Sequence, residues 1–330
     1  MRNREPGIDL FRCLGLLFVT GLHAFLYNGF YSEIQGGVLM WSATSIRWLF
    51  SGCNGMFMLL TGYLKGGKPI NRKYFHGLLT VLTGYGLTCL ISYPIRFLIL
   101  GERDSLAVWI DRFFTFDGYG WYIGMYIGLI LFSPVINLAL GQVKERRELL
   151  LLAGMMTILT ALPSLTPLHL LPEYWSGLYP LTYYTLGAVI PRLELRLPPW
   201  FGLCGAVCTA CFMGLLSAWT ARGGVFTDGF IQGGNGGALT TLMVTLLFLG
   251  IYRLPVRPVA AKLLAWASGG VFEGYLLSRL LDVWIYDCFP QWHSPACYPL
   301  LFLCVTVPVF LCSILTGKIV HRLAARLTAQ

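Results

Sequence analysis

The sequence predicts an all-α, polytopic membrane protein of about ten transmembrane helices, with both termini in the cytoplasm. Three observations lead there. Hydrophobic residues make up 56% of the 330 positions and charged residues only 12%, at a mean hydropathy of +0.66. The apolar runs are long enough to cross a bilayer, about 17 to 25 residues each, and too numerous for a soluble core. The Lys and Arg residues between them fall heavily into alternate loops, the charge bias of a chain threaded repeatedly through a membrane.

Apolar windows bounded by Lys, Arg, Gly and Pro place the spans at 7–29, 43–64, 74–98, 120–140, 149–166, 174–191, 199–220, 236–252, 263–286 and 297–318. The first contains Asp9, Arg12 and His23 and no small-residue cleavage site, so it reads as a retained span and not a signal peptide. The second runs through Ser51, Gly52, Cys53, Asn54 and Gly55 to Thr61-Gly62-Tyr63-Leu64; small residues at such spacing let helices approach closely. The third begins after the basic cluster Lys65, Lys68, Arg72 and Lys73, the fourth opens on Trp121-Tyr122, and the fifth follows Lys144, Arg146 and Arg147. Arg192 and Arg196 close the sixth, and the Pro198-Pro199 pair opens the seventh. The eighth is entered through Gly233, Gly234, Asn235, Gly236 and Gly237, which read as turn material; no Lys-Ser or Lys-Thr follows to make them a phosphate loop. The ninth holds Glu273, Arg279 and Asp282, and the tenth ends at Lys318. The longest outer loops are 99–119 and 221–235, and residues 1–330 read as one membrane domain with no soluble domain appended. Chemistry is therefore expected inside the bundle.

With the N-terminus inside, 17 of the 24 Lys and Arg residues fall in cytoplasmic segments, and only Arg103, Arg112 and Arg222 fall in outer loops. The net charge of +9 is thus an orientation signal, and no basic folded face of the kind that binds nucleic acid is expected. Most of the ten cysteines lie within spans and read as small apolar residues. Cys288 and Cys297, flanking the last outer loop, are the two placed to pair in an oxidising exterior. Cys204, Cys208 and Cys211 share a helical face but have no His or carboxylate nearby, so helix packing is expected there and no metal.

Arg12 and His23 stand out. Eleven residues apart, they return to within about 20° of one helix face and lie about 16 Å apart along the axis. Ionisable groups at membrane depth are costly and point to function by default. His23 reads either as a general base held neutral by apolar surroundings or as a packing histidine bonded to a neighbouring helix. Arg12 needs an anion, a water-filled cavity or Asp9 one turn before it. Glu273 needs a partner or a proton: it reads as catalytic, or as paired with Arg279, Arg47 or Arg96. Arg72 and Lys73, in the basic cluster, read as phosphate ligands or as positive-inside bias alone. Trp121, Tyr122 and Tyr126 read as an interfacial aromatic belt.

At this point the sequence resembles a family, the integral membrane acyltransferases called acyltransferase family 3. Asp9, Arg12 and His23 match its Arg, ten residues, His motif in the first span, and Thr61-Gly62-Tyr63-Leu64 is similar to its Ser-Gly-Tyr-Leu ending of the second. Trp121-Tyr122 with Tyr126 and Pro134 resembles its fourth-span pattern, and Tyr183, Tyr184 and Gly187 resemble its aromatic-aromatic-x-x-Gly stretch. Two departures stand out: Arg72 is followed by Lys73, Tyr74, Phe75 and His76 where many members have Arg-x-x-Arg, and Ser278 stands where many have a second histidine after Tyr275-Leu276-Leu277.

The resemblance implies ten membrane helices and transfer of an acyl group, often acetyl, from cytoplasmic acyl-CoA to a glycan or lipid-linked acceptor of the envelope. It implies His23 as the catalytic histidine and Arg12 as its partner in the donor path. Beside the resemblance, where this chain departs from the pattern, Arg72 and Lys73 are expected at the donor phosphates and Glu273 is expected to compensate for the missing histidine. Direct transfer and passage through an acyl-histidine both stay open. The setting implied is the cytoplasmic membrane, with acetyl-CoA as co-substrate and no metal. Two other readings stand beside it: a transporter or flippase whose route Arg12, Glu273 and Arg279 line, and an inactive relative that scaffolds an envelope synthesis complex. The orientation is open to test by single cysteines in a cysteine-depleted background. Cysteines at Asp228 and Glu102 should react with an impermeant thiol reagent on intact cells, and those at Lys68 and Lys144 only after lysis; labelling of position 68 from outside would reverse the assignment.

Overall fold

The computed structural model describes residues 5–31, 37–116, 120–164, 170–221, 234–286 and 297–328. Helices make up 84% of it, and no strand occurs among the described residues. Arg2, Arg4, Glu33, Asp117, Arg222, Asp228, Asp287 and Cys288 lie outside those residues, as does the side chain of Lys73.

Among the described residues, six helices are long and apolar enough to cross a membrane: Pro6–Tyr27, Tyr74–Leu98, Trp121–Gln142, Arg146–Ser164, Pro199–Thr220 and Pro299–Thr328. They make this a multi-pass membrane protein. A seventh expected span is the shorter apolar helix Ala238–Ile251. The other three are divided. The second is α2 (Gly37–Ser51) and α3 (Cys53–Lys65), interrupted at Gly52, where Met56 N–H bonds back to Gly52 O at 3.0 Å. The sixth is a 3₁₀ turn, Glu173–Leu178, running into Tyr179–Val189, and the ninth is Pro258–Ser268 and Val271–Tyr286, parted by Gly269 and Gly270. In chain order the helices are α1 (Pro6–Tyr27), α2, α3, α4 (Arg72–Leu98), α5 (Leu106–Thr115), α6 (Trp121–Gln142), α7 (Arg146–Ala161), α8 (Tyr179–Val189), α9 (Pro199–Thr220), α10 (Ala238–Ile251), α11 (Pro258–Ser268), α12 (Val271–Tyr286), α13 (Tyr298–Leu301) and α14 (Val307–Thr328), with a π-turn at Phe302–Thr306 before the last.

Two elements differ from expectation. The stretch 99–119, expected as an outer loop, contains α5, capped where Ser105 Oγ accepts from Val108 N–H and held to α4 by the Tyr85 hydroxyl donating to Phe113 O at 3.0 Å. The last helix does not stop at Lys318 but runs ten residues further, to Thr328. Its charged final turns read as a loop on hydropathy, yet Val320 and Ala324 are buried on one face, so the helix continues on packing.

α1 is the centre of the bundle. Its most apolar window is 56% buried, against 28–39% in the other five long helices, and it touches α2, α3, α10, α11, α12 and α14. Pro6 at its first turn supplies a fixed φ and needs no donor there. At one end of the bundle the Tyr63 hydroxyl of α3 donates to Glu5 Oε2 at 2.6 Å and Arg192 Nη1 donates to Leu140 O at 2.6 Å. This is the end where Lys65, Lys68 and Arg72 also lie, and it is called the basic end below. The opposite end holds the ion pairs of Arg96 with Glu102 and of Arg112 with Asp104.

The closest helix contact on the way to the site is α3 against α8. A Cβ on Gly62 would lie 2.0 Å from Tyr184 O, and one on Gly187 would lie 2.0 Å from Leu59 O, so only glycine lets these backbones meet. The small residues of the second span therefore do what their spacing suggested. α12 and α14 meet in the same way at Gly317, where a Cβ would fall 2.2 Å from Gly270 O.

Candidate functional site

Three ionisable residues of α1 and two of α12 define the site. Asp9 is 3% exposed and accepts a hydrogen bond from Ser268 Oγ of α11 at 2.5 Å. Arg12, one turn on, faces a cavity of about 340 Å³ toward the basic end. Two turns further, Val19 lies on the same stripe, and one turn beyond it His23 faces a second cavity of about 240 Å³ toward the opposite end. The stripe thus runs from one cavity to the other, with Val19 in the walls of both.

His23 is held by α12. Its Nδ1 lies 2.8 Å from Asp282 Oδ2, and the Asp282 side chain is fully buried. An ionised carboxylate can only accept, so toward it Nδ1 is the donor. The carboxylate fixes the ring and stabilises the imidazolium that forms. Tyr27 lies edge to face with His23 at 6.0 Å within α1, and Tyr286 joins α12 to α1 by stacking on Tyr27 at 6.5 Å and by its hydroxyl donating to Thr20 O at 3.2 Å. The imidazole is thereby fixed in orientation between α1 and α12.

The basic-end cavity is lined by a second pair. Glu273, 2% exposed, takes His321 of α14 as its partner, with Oε1 2.9 Å from Nδ1. Of the arginines expected to pair with Glu273, Arg96 meets Glu102 and Arg47 donates from Nε to the Tyr31 hydroxyl at 2.9 Å. No local spacing ties Glu273 to a residue 48 positions later. His321 was hidden because it lies past the expected end of the last span.

Lys65 also lines this cavity. Its ammonium donates to Tyr74 O at 3.0 Å and sits 4.4 Å from the centre of the Tyr74 ring. Arg72 is exposed at the start of α4 and does not line the cavity. The structure therefore brings Arg12, Glu273, His321 and Lys65 together and sets His23 with Asp282 on the other side.

Tyr122 and Tyr126 are not belt residues. Tyr122 is 6% exposed and stacks near-parallel on Tyr126 at 6.4 Å, edge to face with Tyr275 at 5.8 Å. Both rings line the basic-end cavity, while Trp121 lines the His23 cavity. Cys204, Cys208 and Cys211 are free thiols, the first two of them exposed.

A family model described as an acyltransferase domain matches residues 5–318. Compared with curated proteins and with solved structures, the chain finds no match.

Thermal unfolding in detergent tests the Glu273 pair. His321→Leu leaves a buried carboxylate without its partner and should cost about 1–3 kcal/mol, lowering the midpoint; adding Glu273→Gln should recover much of the loss. Additive effects of the two substitutions would mean that the contact contributes nothing.

Proposed function

The chain belongs to this acyltransferase family along nearly its whole length, and from that premise we propose that it moves an acetyl or similar acyl group from cytoplasmic acyl-CoA to a hydroxyl of an envelope carbohydrate or lipid-linked acceptor. The observation that carries this reading is the His23–Asp282 pair facing one cavity whose wall is shared with the cavity of Arg12. Acyl transfer between two substrates entering from opposite sides of a membrane needs a base on the acceptor side and a cationic, partly apolar chamber on the donor side.

The basic-end cavity has those donor features. Arg12 and Lys65 offer charge to phosphate or pantetheine oxygens, and the apolar remainder of the lining suits the pantetheine arm. Arg72, exposed at the start of α4, and Lys73 beside it in sequence are assigned to the nucleotide phosphates. In the other cavity, Trp121 offers an exposed ring to a sugar beside His23, while the Arg47 guanidinium lies over the rings of Trp48 and Tyr31. His23 Nε2 takes the proton of the acceptor hydroxyl as it attacks the thioester carbonyl. Glu273 with His321 borders the donor. The membrane in question is the cytoplasmic membrane, with the basic end inside.

A transporter would also place cavities at both ends of a bundle. The buried carboxylate behind His23 Nδ1 favours chemistry over passage, since it prepares one nitrogen to exchange a proton. The same pair speaks against an inactive scaffold, because the histidine missing at position 278 leaves the first histidine fully supported.

Purified protein in nanodiscs, given acetyl-CoA and an envelope extract, separates these readings. Release of CoA should fall about 10²- to 10⁴-fold in His23→Ala, with the protein still inserted and monodisperse. Arg12→Lys keeps charge but loses the fork and should weaken CoA binding more than turnover at saturating donor. Near-normal release by His23→Ala would return His23 to a packing role.

A further inference from the structure

Val19, Asn54 and Tyr275 are the described residues that border both cavities. If donor and acceptor meet across that wall, the thioester carbonyl lies beside it. A carbonyl under attack gains negative charge on oxygen, and a pre-placed hydrogen-bond donor there lowers the barrier. Asn54 is such a donor. It is 8% exposed, in the first turn of α3 just past the Gly52 interruption, and its Nδ2 gives one hydrogen to Asn235 Oδ1 at 3.0 Å. An amide nitrogen has two hydrogens, so the second remains for a ligand at the wall.

The amide is also held in place from behind. Asn235 O accepts a hydrogen bond from the Tyr183 hydroxyl at 3.1 Å, and Tyr183 is fully buried in α8. The ring reaches that point because residue 55 is glycine: a Cβ there would lie 2.4 Å from the Tyr183 ring carbon Cζ. Gly55, Tyr183 and Asn235 thus fix the Asn54 side chain before any substrate arrives. Fixed donors act better than mobile ones because nothing has to reorganise as the charge develops.

We infer that Asn54 is a further catalytic residue, its second Nδ2 hydrogen bonding the acyl carbonyl oxygen as the acceptor attacks. The inference rests on the acyl-transfer reading above. The acceptor oxygen forms a bond to the acyl carbon while His23 takes its proton, and the carbonyl oxygen carries the negative charge held by Asn54. The carbon–sulfur bond then breaks, its electron pair leaves with sulfur, and the proton passes from His23 to sulfur, giving the ester and the free CoA thiol.

The test uses the full chain in nanodiscs with acetyl-CoA as the probe and an envelope extract as the source of acceptor. Asn54→Ala and Asn54→Asp should each lower kcat for CoA release about 10²- to 10³-fold. Binding of CoA itself, which has no acyl carbonyl, should change by no more than about threefold in calorimetry. A packing role for Asn54 would instead lower donor affinity and thermal midpoint together with kcat. Asn235→Ala, which frees the amide to rotate, should give a smaller loss in kcat with CoA affinity again unchanged; where Asn54→Asp does not fold, Asn54→Ser takes its place. A wild-type kcat in Asn54→Ala, or a loss of CoA affinity matching the loss of kcat, would overturn the inference and leave the acyl-transfer reading intact. Wild-type protein that releases no CoA in a His23-dependent manner would overturn that reading and this inference with it.

Discussion

A carboxylate buried among apolar helices persists only beside a partner, and α12 carries two of them. Glu273 and Asp282 are nine residues apart, about 13.5 Å along the axis and half a turn around it. Each is met by a histidine from a different helix: Asp282 by His23 of α1 and Glu273 by His321 of α14. An ionised side chain at the bilayer centre costs about 2.5–3.5 kcal/mol or more, and leaving a buried carboxylate without its partner costs about 1–3 kcal/mol. These pairs hold α12 between α1 and α14. The interruption at Gly269 and Gly270 lets α11 take its own course, so that Ser268 can meet Asp9 at the far end of α1. One helix therefore meets its neighbours through charge at both ends of the bundle.

The consequence is a site in two chambers. The pair at His23 opens toward the end opposite the basic one, and the pair at Glu273 opens toward the basic end, so each cavity has its own imidazole–carboxylate unit. Between them stand three side chains, of which one is an amide and one a phenol. Two chambers with a thin shared wall suit a reaction whose partners approach from opposite faces and exchange a small group. They suit less well a single pocket in which both partners bind together.

Much of this was legible in the sequence because hydropathy and charge report on the membrane directly. The six long helices and the family were readable from hydropathy and from the motifs of α1 and of the small-residue and aromatic stretches. The interrupted spans were not, since an apolar window looks the same whether one helix or two fill it; Gly52 and the Gly269-Gly270 pair break helices only in the packing they meet. Tyr122 and Tyr126 were misread as a belt because composition cannot say which way a ring near a helix end turns. His321 was missed for a further reason. It lies in charged turns beyond the apolar window, and its partner is far away in sequence, so neither periodicity nor spacing could bring the two together. Asn54 was visible only as one small residue among several, and its position in the wall of both cavities comes from the fold alone.

The claim most exposed to test is that the donor occupies the basic-end cavity with its reacting end at the wall beside Val19, Asn54 and Tyr275. A structure of the protein determined with CoA bound would decide it. The account predicts the nucleotide near Lys65 and the start of α4, the pantetheine arm running past Arg12, and the sulfur at the shared wall, across from His23. Pantetheine density in the His23 cavity, or CoA bound on the outside of the bundle with the Arg12 cavity empty, would contradict it.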